Sequence, residues 1–297
     1  MKPGIDGPFP YTPITARKGF RWPNGARVAL WVIPNIEFFY LDAPLPVANN
    51  ERVSAAHAKI PNPRSWSLRE YGNRVGVWRI MEVMSRYGVR GTAALNSDIC
   101  IHRPQIVEAA LKLGWDFIGH CESNVTRLND VPPEQEKELI HRTLETIAKA
   151  TGKKPIGWLG AGLAETWNTL DLLIEEGCLY VADWMADDLP FRMSIGGKTL
   201  YSMPYNFQCN DSIQFFEQKQ SPEAYAISMK RQFDWLYLEG AESSRVMAIP
   251  LHPFVSGAPY RIGAIDETLA YICGHRDVWL ATGEEILQGY IDSGATI

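Results

Sequence analysis

The sequence predicts an α/β fold in which a parallel sheet curls into a (β/α) barrel. From Arg27 onward, strand-like and helix-like runs alternate, six or seven units in one unbroken series. No hairpin signal is read among them, so successive strands are expected to run parallel with helices between them. The first run, Arg27-Val28-Ala29-Leu30-Trp31-Val32-Ile33, is continuously apolar, as a strand buried on both faces requires. A chain of 297 residues suits a barrel, which typically takes about 250 residues.

The first 25 residues are rich in Pro, Gly and aromatics without a period, and read as an ordered arm over the surface. Residues 26–297 form the barrel domain. The stretch 41–67 is long, Pro-rich and unperiodic, and is expected to be a loop that shapes a site. Val75, Trp78, Ile80, Met81, Val83 and Met84 mark a helix ending near Gly88. A strand follows over 91–95, a helix over 104–113 and a strand over 115–118. Leu139, Ile140, Leu144, Ile147 and Ala148 mark a helix entered through Pro132-Pro133 and closed at Gly152. Further strands are expected over 156–159, 179–182 and 246–251. Ser221-Pro222 opens a helix as N-cap and first-turn proline. Thr282-Gly283-Glu284-Glu285 is a capping box for the last helix.

Composition narrows the function. A net charge of -5 and a pI near 5.7 leave no basic footprint for nucleic acid. No run reaches the roughly 18 apolar residues that cross a bilayer. The N-terminus lacks the apolar region of a secretory signal, so a cytoplasmic location is expected. The five cysteines form no CxxC pair, which is neither a disulfide framework nor a zinc knuckle. Cys121 beside His120 could be a nucleophile, but no separate base is placed to activate it.

In such barrels the side chains at the carboxyl ends of the strands build the active site. The first strand ends Pro34-Asn35-Ile36-Glu37, the third Gly119-His120, the fifth Asp183-Trp184 and a late one Leu251-His252-Pro253. Any one of these residues could be structural. Two histidines and two acids converging on one mouth are what general acid–base or metal-assisted hydrolysis requires. His120 and a second ligand four residues later, on a turn of helix, could face one cation. That second position is Asn124, whose amide oxygen is a poor zinc ligand. The other reading of His120 is a hydrogen bond at a strand end.

The segments Asn35-Ile36-Glu37, Arg69-Glu70-Tyr71-Gly72-Asn73-Arg74-Val75-Gly76-Val77-Trp78-Arg79, Gly119-His120, Thr151-Gly152-Lys153-Lys154-Pro155, Asp187-Asp188-Leu189-Pro190, Pro204-Tyr205-Asn206, Asn210-Asp211 and Leu251-His252 occur in this order. In that order the chain resembles the polysaccharide deacetylase (NodB-like) superfamily, above all the branch with the metal-independent allantoinases. The resemblance runs from about Val28 to the C-terminus and implies a distorted (β/α) barrel of that type. It also implies a homo-oligomer. Family deacetylases carry Asp-x-Asp at the first strand, as base and metal ligand, where this chain has Asn35 and Glu37. Their His-x-x-x-His pair is here His120 and Asn124. The arginine that orients the base after the fourth strand is absent from 160–164.

With those changes, a cofactor is either absent or a weakly held divalent metal such as zinc, on Glu37, His120 and Asn124. Without metal, Glu37 becomes the general base, and His252 or His120 protonates the leaving nitrogen or stabilises the oxyanion. Arg69, Glu70 and Arg74, placed just before a helix, are candidates for binding substrate. So are Asn35, Asp183, Asp187, Asn206 and Asn210, which offer groups suited to a small molecule dense in N–H and C=O. The expected function is hydrolysis of a C–N bond in a small cyclic amide or ureide. A metal-dependent sugar de-N-acetylase and a catalytically silent metabolite-binding barrel are the alternatives.

Overall fold

A computed structural model describes residues 7–44 and 60–295. The first six residues of the arm and most of the 41–67 stretch lie outside the described residues.

Among the described residues, nine strands form one curled sheet: β1 (Val28–Ile36), β2 (Thr92–Leu95), β3 (Asp116–Gly119), β4 (Gly157–Trp158), β5 (Tyr180–Val181), β6 (Phe191–Ile195), β7 (Lys198–Ser202), β8 (Arg245–Leu251) and β9 (Val278–Leu280). Their order is β6-β7-β5-β4-β3-β2-β1-β8, and β9 pairs with the start of β1. The sheet is therefore a distorted half-barrel whose ends, β6 and β8, do not pair. All nine residues of β1 are buried. Val28, Leu30 and Val32 meet the outer helices, while Ala29, Trp31 and Ile33 pack with Ala94, Ile118, Leu159 and Tyr180. Burial on both faces is why this run shows no polar alternation.

One pairing departs from expectation. β6 and β7 form an antiparallel hairpin, joined through Gly196 and Gly197 at φ +56° and +83°. Two successive positive φ values suit a tight two-residue turn, and Gly-Gly is its sequence signal. That signal is present in the sequence and was not counted among the strand-helix units.

The helices are α1 (Pro63–Tyr71), α2 (Val77–Arg86), α3 (Ser97–His102), α4 (Pro104–Lys112), α5 (Pro133–Thr151), α6 (Thr169–Glu175), α7 (Pro222–Glu239), α8 (Pro253–Ser256), α9 (Pro259–Cys273) and α10 (Gly283–Asp292). The caps fall where the sequence places them. Ser221 accepts from Ala224 N–H, Gly152 ends α5 in the left-handed region, and the Thr282–Glu285 box is complete.

The first helix starts earlier than its apolar period suggests. Asn62 caps α1, which runs through a π turn at Gly72–Gly76 into α2 without a break. Its buried side chains are Ser65, Arg69 and Glu70, so no apolar stripe announces it. The two glycines seat this helix on α8. A Cβ at Gly76 would lie 2.0 Å from Pro253 O, and one at Gly72 2.6 Å from Phe254 N. The backbone next to His252 is thereby packed directly on the helix that carries Arg69.

Candidate active site

Glu37 follows the last residue of β1, His120 follows β3 and His252 follows β8, so three strand ends deliver three side chains to one mouth. Glu37 Oε1 lies 3.8 Å from His120 Nε2 and 3.6 Å from His252 Nε2. All three residues are buried.

Each histidine is oriented from behind. His120 Nδ1 sits 2.7 Å from Leu159 O, an acceptor only, so Nδ1 carries the proton and Nε2 faces Glu37. His252 Nδ1 is 2.7 Å from Asp211 Oδ1. Asp211 Oδ2 accepts from the His252 N–H at 2.7 Å and from Ser256 Oγ at 2.6 Å. Asp211 is fully buried, and its role as the partner of His252 is missed by sequence reading. Forty-one positions separate the two residues, so no local pattern joins them.

The segment after His120 is not helical. Cys121 takes a left-handed φ of +59° and turns the chain back over the mouth. Cys121 is buried and burial pushes its thiol up to about 12, which removes it as a nucleophile. The turn brings Asn124 N–H to Phe38 O at 3.0 Å and Asn124 Nδ2 to Glu37 Oε1 at 2.5 Å. Asn96, at the end of β2, ties these segments together. It accepts from Phe38 N–H at 2.8 Å and donates to His120 O and, at 3.3 Å, to Asn124 Oδ1.

Asn35 donates to Ile33 O at 3.1 Å and accepts from Tyr205 Oη at 3.3 Å, while Asn210 Nδ2 donates to that hydroxyl at 3.0 Å. Tyr205 is a second residue that the sequence reading did not single out by itself. These groups line a pocket of about 160 Å³ that includes Glu37, His120, Asn124, Asn210 and His252.

Charge sorts the roles. Burial opposes ionisation of Glu37 but is outweighed by His252, His120 and Arg69, so its pKa falls below the ordinary carboxylate value. Burial likewise opposes a charged His252 but is outweighed by Asp211 and Glu37, so its pKa rises. The site thus favours the charged form of each group, a carboxylate on Glu37 and an imidazolium on His252, across the pocket.

The other expected residues divide. Arg69 is buried behind the pocket, donates to Ser65 Oγ at 2.7 Å, and stacks over Phe39 and Phe254 with its Cζ 4.9 and 5.8 Å from the ring centres. Glu70 Oε1 takes two bonds from Arg103, at 3.0 and 2.7 Å, and so braces α1 instead of facing substrate. Arg74 is exposed, and the cluster lies inside a continuous helix, not ahead of one. Asp183 accepts from Gly160 N–H at 2.8 and 3.1 Å and supports the pocket wall from behind. Its neighbour Glu165 is pushed up by burial and by the charge of Asp183, so this pair holds a proton. Asp187 is bound by Arg17 of the arm, at 2.7 and 2.5 Å. Asp187 and Asn206 line a separate cavity of about 690 Å³ on the open seam, which shares Tyr205 and Phe207 with the Glu37 pocket. The larger cavity lacks the histidines, and the chemistry lies in the smaller one.

Glu37, His120 and Asn124 come together as anticipated, but as a hydrogen-bonded set. The Asn124 amide hydrogen points at the Glu37 oxygen that a cation would take, and Asn124 Oδ1 accepts from Asn96. Among the described residues no group of three His, Cys, Asp or Glu side chains is arranged to hold a metal ion. The donor set does not fit zinc.

No protein-family model matches the chain. A Schizosaccharomyces pombe protein assigned as a polysaccharide deacetylase is 27% identical over 300 residues, 91% of this chain and 92% of that one. The crystal structure of the allantoinase PuuE superposes with a TM-score of 0.84 at 26% identity, covering 97% of this chain and 99% of that one. A probable polysaccharide deacetylase from Pseudomonas aeruginosa PAO1 gives 0.80 at 27% identity, covering 91% and 93%. Over nearly its full length the chain is thus similar in sequence and fold to proteins named polysaccharide deacetylases and to an allantoinase, and its half-barrel is of the polysaccharide deacetylase (NodB-like) type.

Proposed function

We infer that the protein hydrolyses a non-peptide C–N bond in a small cyclic amide or ureide, with Glu37 as general base and His252 as general acid. The observation that carries this reading is the pair itself: Glu37, whose pKa is lowered, and His252, whose pKa is raised, stand 3.6 Å apart at one pocket. Water placed between Glu37 and the substrate gives its proton to Glu37 as its oxygen attacks the carbonyl carbon. His252 gives its Nε2 proton to the nitrogen as the C–N bond breaks. Asp211 keeps the Nε2 position directed at the pocket throughout. Asn124 Nδ2 borders the same space and keeps a second N–H for the developing oxyanion, while His120 Nε2, with the ring proton on Nδ1, is placed to accept a hydrogen bond from the attacking water.

Two further points support a small substrate. A pocket of about 160 Å³ suits a compact ring better than a glycan chain, and one superposable relative is an allantoinase. The names of other relatives favour a second reading, removal of N-acetyl groups from sugars. A panel of cyclic ureides, allantoin included, and N-acetyl sugars, assayed with and without chelator, tests both. Ureide turnover indifferent to chelator is the expected result. Chelator-sensitive release of acetate establishes the second reading instead, and binding without turnover of any compound overturns both.

A further inference from the structure

Arg127 projects from the loop after β3 to the loop after β4 and lies flat on Gly162. A Cβ at Gly162 would come 2.9 Å from Arg127 Nε and 3.1 Å from its Cζ, so the arginine takes the space that a side chain would fill. Gly162 and Leu163, which both line the Glu37 pocket, have φ of +66° and +56°. A bulky residue in the left-handed region is strained, and such strain is retained mainly where a site requires the geometry. The loop is closed by Leu163 N–H to Gly160 O at 2.8 Å. Other arginines near the mouth are committed: Arg103 to Glu70, and Arg142 to Glu122 by two bonds. Among the described residues, the Arg127 guanidinium makes no hydrogen bond or ion pair, although its backbone carbonyl accepts from Asp130 N–H at 3.0 Å.

A half-buried guanidinium beside the pocket-lining Gly162, with no partner of its own, leaves its fork of N–H donors available to a ligand. That geometry matches the paired oxygens of a carboxylate better than a single carbonyl. The pocket itself presents the Glu37 carboxylate, which would repel an anion unless a cation stood near the mouth. We propose that Arg127, laid across Gly162, is a specificity residue that docks a carboxylate on the substrate, so that the preferred substrate is a small anionic amide or ureide. This rests on the reading of the pocket as a site for small C–N substrates.

The test uses a matched pair of ring ureides, hydantoin-5-acetic acid and its neutral amide, with the intact protein and its Arg127→Gln and Arg127→Lys variants. Binding is followed by calorimetry and turnover by product release. The expected result is at least tenfold tighter binding of the acid by the native protein. Arg127→Gln should bring the two ligands to parity through KM with a smaller change in kcat, and Arg127→Lys should retain part of the preference. Equal binding of acid and amide by the native protein overturns the proposal, as does an Arg127→Gln loss of equal size for both. Failure to bind the acid at all also overturns it. A preference that persists without turnover of either compound leaves the docking role standing and refutes the ureide reading, so the two failures are separable. Unfolding temperatures of the variants confirm that the fold is retained.

Discussion

At the scale of single residues, the site works by keeping a base and an acid apart in protonation while 3.6 Å apart in space. The pH dependence follows from the two shifts. Glu37, lowered from the ordinary 4.5, stays ionised further into acid, so the acid limb of kcat/KM should fall below that value. His252, raised from the ordinary 6.5, keeps its proton further into alkali, and activity should be lost as pH rises through its elevated pKa. Burial opposes the charge on His252, and Asp211 is the largest contribution that restores it. Asp211→Asn should therefore move the alkaline limb of the pH–rate profile downward as well as lower kcat. An unmoved limb would show that another group is the acid. Glu37→Gln keeps the shape and removes the base, and a general base contributes about 10²–10⁴ in rate. Retention of most of kcat by that variant would exclude Glu37 from the chemistry. Asn124→His replaces a hydrogen-bond donor to Glu37 with a ligand, so this variant is expected to take up zinc in equilibrium dialysis more tightly than the native chain.

Secondary-structure elements carry these residues into place, and they differ in how far the sequence discloses them. β1, α4, α5, α7 and α10 were legible because their signals are local: an apolar run, prolines at helix starts, a left-handed glycine, a capping box. The strand-end rule then led to Glu37, His120 and His252. Asn96 was not legible as a site residue, and Asp211 and Tyr205 were legible only as members of motifs and not in their roles, since each acts through a partner brought near only by tertiary packing. α1 escaped because its buried face is polar. Glu70 and Arg74 looked like site residues because charge density alone does not reveal which side of a helix faces the mouth. The glycine pair that seats this helix on α8 gives an element-level prediction. Gly76→Ala would place a Cβ 2.0 Å from Pro253 O, where rigid backbone cannot give way. Overpacking of this kind costs about 1–3 kcal/mol. The unfolding temperature should drop, and kcat should drop with it as His252 moves, whereas Gly263→Ala, exposed within α9 and meeting nothing within 4 Å, should leave kcat unchanged and raise the unfolding temperature slightly through its better helix propensity.

Across the whole molecule, the sheet curls without closing, and the seam between its unpaired ends, β6 and β8, is bridged by other means. Val246 N–H reaches Asp188 O at 3.0 Å, and the N-terminal arm lies over the same region, with Ser194 N–H bonded to Pro8 O at 2.9 Å. The arm is fastened by Arg17, whose guanidinium binds Thr12 O and both oxygens of Asp187, with side-chain exposures of 14% and 7%. Such a pair is shielded enough to matter, because removal of Arg17 leaves the largely buried Asp187 carboxylate with only its Leu189 N–H bond, at about 1–3 kcal/mol. Arg17→Ala should therefore lower the unfolding temperature by several degrees and open residues 7–17 to limited proteolysis. Arg17 lines the seam cavity but not the pocket of Glu37, His120 and His252. Turnover of a small substrate should accordingly survive the substitution at temperatures where the native chain is stable. If cleavage in the arm and the unfolding temperature are both unchanged, the seam is held by the Val246–Asp188 bridge and the hairpin alone. If turnover collapses with the arm, the two cavities that share Tyr205 and Phe207 form one functional space, and the half-barrel depends on its arm for catalysis as well as for stability.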